Sequence, residues 1–219
     1  LASRNRAAAL AVEVRRATAD IHLRERETIT RLARAAEFRD PETGGHIQRM
    51  AHYSALVARQ LGMPAEYCEE ILQAAPMHDV GKMGIPDHIL LKPGRLTAEE
   101  FEVMKRHPLI GYDILKDSAS TIVQLGASIA LSHHEKFDGS GYPHGLAGDA
   151  IPLEGRIVAI ADVFDALTST RPYKKPWPLN EARDFLLQGR GQHFDPAGVD
   201  ALMAGWEEAL AIRERFGVE

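Results

Sequence analysis

Cysteine is nearly absent from this sequence: Cys68 is the only one. That excludes an intrachain disulfide and a thiolate metal site, and a reducing compartment, the cytoplasm, is the expected location. No apolar run approaches the roughly 20 residues that span a bilayer, and the Arg-bearing N-terminus lacks the apolar stretch of a signal peptide, so no membrane partner is expected. Basic charge is in deficit, with a formal net charge of -5. DNA and RNA polymers are therefore poor partners, while a local cationic patch leaves room for a small nucleotide. Alternating strand patterns are scarce, and no internal repeat or low-complexity tract occurs. What is present is a chain of 219 residues, 45% of them hydrophobic, enough for one core with a helical appendage. It starts at Leu1 without Met and is expected to be a fragment or a processed product.

Between Arg4 and Arg39 there is neither Gly nor Pro, which predicts one long helix. Residues 1–38 are assigned to it, as a linker or dimerisation helix ahead of a domain over 39–219. Leu10, Val14, Ala17 and Ile21 form a short coiled-coil-like seam that would suit a homodimer; the competing reading is a helix packed on the domain behind it. Asp40-Pro41 reads as a fresh helix start, which puts Glu42 and His46 four residues apart on one face. His52 points elsewhere and is read as structural. Gly62 ends that helix.

A second helix, from about Ala65 to Met77, delivers His78 and Asp79 to a turn loosened by Gly81 and Gly84. An imidazole and a carboxylate side by side suit a divalent cation, and Lys82 would meet phosphate charge. The pattern Thr97-Ala98-Glu99-Glu100 is a capping box that opens a helix reaching His107, directly before Pro108, where helices stop, and Pro108 then starts a further helical segment through Leu115. An apolar run over 122–132 leads into His133-His134-Glu135. Adjacent imidazoles lie about 100° apart around a helix and suit two neighbouring ions better than one. The Gly- and Pro-rich stretch 138–145 has to be an exposed, shaped loop. The helix over 157–167 is apolar except for Asp162 and Asp165. Burying an unpaired carboxylate costs several kcal/mol, so a cation is expected beside Asp162, with Arg171 as the alternative to a metal. Arg171, Tyr173 and Lys174 form a cationic set suited to phosphate oxygens. A last helix is expected from Pro196 through Trp206. His22, His88, His144 and His193 are read as non-ligands, and the chain as all-α.

The motifs His78-Asp79-Val80-Gly81-Lys82 and His133-His134-Glu135-Lys136-Phe137-Asp138-Gly139-Ser140-Gly141-Tyr142-Pro143, with Glu42, His46, His107 and Asp162, resemble the HD-GYP domain family of the HD phosphohydrolase superfamily, over about Ile29 to Ala204. The resemblance implies an all-α HD-domain helical bundle behind the long N-terminal helix. It also implies two or three divalent metal ions, Fe or Mn first and Ni, Co or Zn as alternatives. His78, Asp79, His107, His133, His134 and Asp162 would be ligands, with Asp79 bridging, and Glu42 and His46 would complete a third site. Lys82 matches the family's catalytic Lys, Arg171 and Lys174 its phosphate-binding pair, and Tyr142 its signature loop, a contact site for GGEF-domain partners.

The implied activity is hydrolysis of cyclic di-GMP to pGpG and GMP, by attack of a metal-bridging hydroxide on the phosphodiester. A catalytically slow cyclic di-GMP sensor is one alternative, and a phosphodiesterase for another cyclic dinucleotide such as cyclic GMP-AMP is a second. The long first helix is similar to the connector of response regulators, which leads to the expectation of an upstream receiver domain outside this chain.

Overall fold

A computed structural model describes residues 2–37, 45–170 and 175–217. Eleven α-helices are described, with three short 3-10 turns, and among the described residues no strand occurs, only isolated bridges at Asp138–Ala147 and Arg190–Phe194. The all-α expectation is met.

Helix α1 (Ala2–Glu37) has two halves. Leu10, Val14, Ile21 and Leu23 are exposed, whereas Ile29 and Ala33 are buried against the domain. Ile29 and Ala33 thus join the core, while the exposed apolar side chains of the earlier turns stay outside it.

The core is built on α2 (Gly45–Gln60), which keeps Arg59 and Gln60 exposed, and α8 (Leu153–Thr168), which buries residues on every side. A helix as apolar all round as α8 has no solvent face to keep, so neighbours surround it. Met50, Tyr53, Leu56 and Val57 of α2 join Ile157, Val158, Ile160 and Phe164 of α8 in one cluster, and Tyr53 meets Phe164 edge-on at 4.9 Å. Each such side chain contributes about 1.5–3 kcal/mol by leaving water. Around them lie α3 (Ala65–Ala74), α7 (Thr121–Ser132), α9 (Leu179–Gln188), α10 (Pro196–Ala204) and α11 (Trp206–Arg215). The short helices α4 (Asp87–Leu90), α5 (Ala98–Met104) and α6 (His107–Leu115) complete the side on which the histidines collect.

Three expectations about helices change. The helix after Ala65 gives way at Ala75–Met77 to a 3-10 turn with Pro76 near its start, because proline has no N–H for the continuing ladder. His107 does not end a helix; α5 closes at Met104 and His107 is the first residue of α6, with Pro108 in the position prolines favour. The final helix is split at Gly205 into α10 and α11. There the chain presses on α2 so closely that a Cβ would lie 2.7 Å from a Leu56 methyl carbon.

Candidate metal centre

His78 and Asp79 sit between two 3-10 turns, Ala75–Met77 and Val80–Gly84. Gly81 lets this corner reach α6: a Cβ on it would stand 1.9 Å from the His107 carbonyl oxygen and 2.5 Å from the Gly111 nitrogen. That approach brings Asp79 Oδ1 to 3.2 Å from His107 Nε2. From the other side α7 ends at Ser132 and presents His133, whose Nε2 is 3.5 Å from the same oxygen.

Each of these rings is oriented from behind. His78 Nδ1 lies 3.1 Å from the Ala75 carbonyl, His107 Nδ1 2.8 Å from that of Met104, and His133 Nδ1 3.1 Å from those of Ile129 and Ala130. A carbonyl only accepts, so each Nδ1 carries the proton and each Nε2 turns a lone pair inward. Those three Nε2 atoms and Asp79 Oδ1 are buried without a hydrogen-bond partner. Buried acceptors facing one another are costly unless a cation lies between them. The donor set fits a divalent ion.

The ligand atoms fall into two groups, within each of which all lie within 4.8 Å of one another: Asp79, His107, His133 and His134 in one, His46, His78 and Asp162 in the other. The groups meet at the adjacent residues His78 and Asp79, whose Nε2 and Oδ2 are 3.2 Å apart. His46 comes from α2 and Asp162 from α8, 3.8 Å from Nε2 to Oδ1. His46 Nδ1 donates to Asp165 Oδ2 at 2.7 Å, and Arg49 grips both oxygens of Asp165, at 2.6 Å from Nε and 3.1 Å from a terminal nitrogen. Arg49 and Asp165 are each 1% exposed, a fully desolvated pair that fixes the His46 ring.

Charge follows this geometry. Burial raises Asp79, but the Lys82 ammonium, His78, His107 and His133 outweigh it and hold the carboxyl well below its ordinary range. Lys82 Nζ is 2.6 Å from Asp79 Oδ2. Burial, then the neighbouring rings of His133 and His107, keeps His134 well below the usual imidazole value, and burial lowers His133 despite Asp79. His78 runs the other way: burial lowers it, but the carboxylates of Asp79 and Asp162 outweigh that and leave it raised. Neutral His133 and His134 beside an ionised Asp79 are in the protonation states a metal takes.

The loop after His134 forms the rim. Glu135, buried, accepts from the backbone N–H of His144 at 2.8 Å and of Leu146 at 3.0 Å, and Asp138 accepts from the Ser140 N–H and hydroxyl. Tyr142, before a cis peptide bond to Pro143, stacks on His134 at 4.7 Å and 26°.

The expected residues His46, His78, Asp79, His107, His133, His134 and Asp162 are thus brought together, with Lys82 and Tyr142 beside them. Glu42, Arg171 and Lys174 lie outside the described residues. His133 and His134, expected to divide between two ions, join one group, their ring centroids 4.0 Å apart. The helix ends at Ser132, so helical spacing does not govern the pair. His52 stacks on Phe216 and His193 on Phe194, away from the cluster. Arg49, Asp165 and Glu135 were not singled out from the sequence. Arg49 on an apolar stripe, and the second carboxylate of an apolar helix, were the available signals.

A family profile described as HD domain matches residues 31–198. The chain is 55% identical over 197 residues to the cyclic di-GMP phosphodiesterase response regulator RpfG of Xanthomonas campestris, covering 90% of this chain and 52% of that protein. It is 46% identical over 194 residues to 3'3'-cGAMP-specific phosphodiesterase 2 of Vibrio cholerae, 89% of this chain and 37% of that protein. The chain therefore spans about half the length of the first relative and less of the second. Among solved structures, the HDGYP protein Bd1817 from Bdellovibrio bacteriovorus superposes with a TM-score of 0.59 at 21% identity, over 74% of this chain and 51% of that one, a likeness of fold.

Proposed function

The chain belongs to the HD domain family, and from that membership we propose that it is a metal-dependent phosphodiesterase that hydrolyses cyclic di-GMP to pGpG and on to GMP. The observation that carries the reading is the pair of abutting ligand groups with buried, unpartnered Nε2 and Oδ1 atoms, beside an ammonium. The 55% identical relative named for this activity supports the substrate.

His46, His78, Asp79, His107, His133, His134 and Asp162 would hold two divalent ions, with Asp79 at the joint, and Glu42 would add a ligand to a third; mixed imidazole and carboxylate donors suit Fe or Mn, and Ni, Co or Zn as alternatives. When bound, such ions neutralise phosphate oxygens and make a water acidic enough to act as nucleophile at neutral pH. The chain's own groups do the rest. The backbone carbonyls behind His78, His107 and His133 hold the imidazoles in register, and Arg49 with Asp165 does so for His46. Lys82, 17% exposed at the edge of the cluster, stabilises charge developing on the phosphoryl group or gives a proton to the leaving 3′ oxygen. Arg171 and Lys174 hold the dinucleotide's phosphates, and Tyr142 lines the entrance.

Chromatography of cyclic di-GMP incubated with metal-loaded protein tests this, together with elemental analysis of anaerobically purified chain. Conversion to pGpG that is lost in Asp79→Ala is expected; nucleotide returned intact, as a sensor would leave it, refutes hydrolysis. A second reading, cyclic GMP-AMP as substrate, is favoured by the relative named for that nucleotide, and side-by-side kcat/KM values decide between them. Further proposals concern partners: a homodimer through the exposed face of α1, a GGEF-domain partner at the Tyr142 loop, an upstream receiver domain, and a cytoplasmic location. Among the described residues no helix is long and apolar enough to cross a membrane.

A further inference from the structure

Three aromatic rings lead outward from the metal cluster in a row. His134 is covered by Tyr142 at 4.7 Å, and Tyr142 meets Phe101 of α5 at 6.2 Å with the rings nearly perpendicular, at 81°. Phe101 is 45% exposed, and no residue of α5 is buried, so its ring does not support the core. Its position is nevertheless well defined. Thr97 and Glu100 form a complete capping box at the start of α5, and Lys92 pairs with Glu100 at 2.5 Å. Lys105 lies 5.6 Å from the Phe101 ring centre and is itself paired with Glu102.

A half-exposed aromatic is unremarkable alone. One set a single ring beyond the residue that covers a metal-group histidine is placed where a nucleotide's far end would lie. A nucleotide with its phosphodiester at the cluster and its base directed past Tyr142 would bring that base to Phe101, which is 45% exposed and has Lys105 over its ring on one side. We propose that Phe101 is a base-stacking residue, its ring face the floor of a nucleobase subsite and Tyr142, perpendicular to it, the side. This rests on the nucleotide phosphodiesterase reading above. Stacking uses the π-face that every base has. Phe101 accordingly supports guanine and adenine alike, and discrimination between cyclic di-GMP and cyclic GMP-AMP comes from other residues that reach the base edges.

The test is calorimetric titration of the metal-loaded chain with GMP, AMP and ribose 5-phosphate, which keeps the sugar and phosphate but has no base. In Phe101→Ala the dissociation constants for GMP and AMP are expected to rise together by roughly 5- to 100-fold, with that for ribose 5-phosphate and the melting temperature unchanged. Phe101→Trp is expected to restore both nucleotides. Unaltered GMP affinity in Phe101→Ala, as for a ring that docks a protein instead, overturns the proposal. So does an equal loss for GMP and ribose 5-phosphate, which would mark a displaced phosphate site. Either result with a wild-type chain that cleaves cyclic di-GMP removes the stacking role alone, whereas a wild-type chain that neither binds nor cleaves nucleotide removes both readings.

Discussion

Asp165→Asn is the substitution whose consequences the structure fixes most closely. The amide has nearly the shape of the carboxylate, so no cavity opens, but a charge is removed from a site where Asp165 and Arg49 are each 1% exposed. Removing one partner of a buried ion pair costs about 3–5 kcal/mol, because the remaining charge stays desolvated. At about 2–4 °C per kcal/mol for a chain of this size, the melting temperature of the metal-free protein should fall by roughly 6–20 °C.

A second effect reaches the cluster. Asp165 now accepts from both His46 Nδ1 and Arg49. An amide has one oxygen for those two donors, and its NH2 group must face one of them or force the His46 proton to Nε2. Losing such a supporting group lowers metal affinity by about 10–100-fold. Circular-dichroism melts in chelator and competition with a chromophoric chelator measure the two effects separately. The double variant Arg49→Met with Asp165→Leu, which leaves no buried charge, should recover most of the melting temperature but not the metal affinity. If Asp165→Asn melts within about 2 °C of the parent and takes up metal equally well, the account of this relay is wrong.

Lys82→Ala should lower kcat for cyclic di-GMP by about 10²–10³-fold, the range for removing one group that stabilises transition-state charge, while metal content by elemental analysis holds. Gly81→Ala should destabilise the chain by about 1–3 kcal/mol or more, since overpacking here meets backbone rather than a movable side chain; a urea unfolding midpoint equal to the parent's would contradict the close approach to α6. The pH response follows from Asp165. Burial raises its carboxyl, but the hydrogen bonds from His46 and Arg49 outweigh that, so its folded pKa lies below the ordinary 3.8. A depressed carboxyl stabilises the fold above its unfolded value, and that contribution is lost as pH falls below 3.8 toward the folded value. Melts of the metal-free chain in this acid range should therefore lose less stability in Asp165→Asn than in the parent, and equal slopes would refute the assignment.

The residue types and their order determined a good deal. Apolar spacing and the scarcity of strand patterns gave an all-α chain, and His78-Asp79, His133-His134 and Asp162 declared themselves as polar residues at the ends or within the faces of apolar helices, where burial demands a partner. His107 was visible only through its proline neighbour, and the helix expected from Pro108 begins one residue earlier, so that His107 opens it instead of closing the one before. Tertiary structure alone decided the grouping. That His133 and His134 share one group depends on α7 ending at Ser132, and the bond from Asp165 to His46 spans 119 positions of sequence. Local propensity acts over a few residues. Which imidazole faces which carboxylate is set by how closely helices approach, as at Gly81 against α6, and that distance is a property of the packed core.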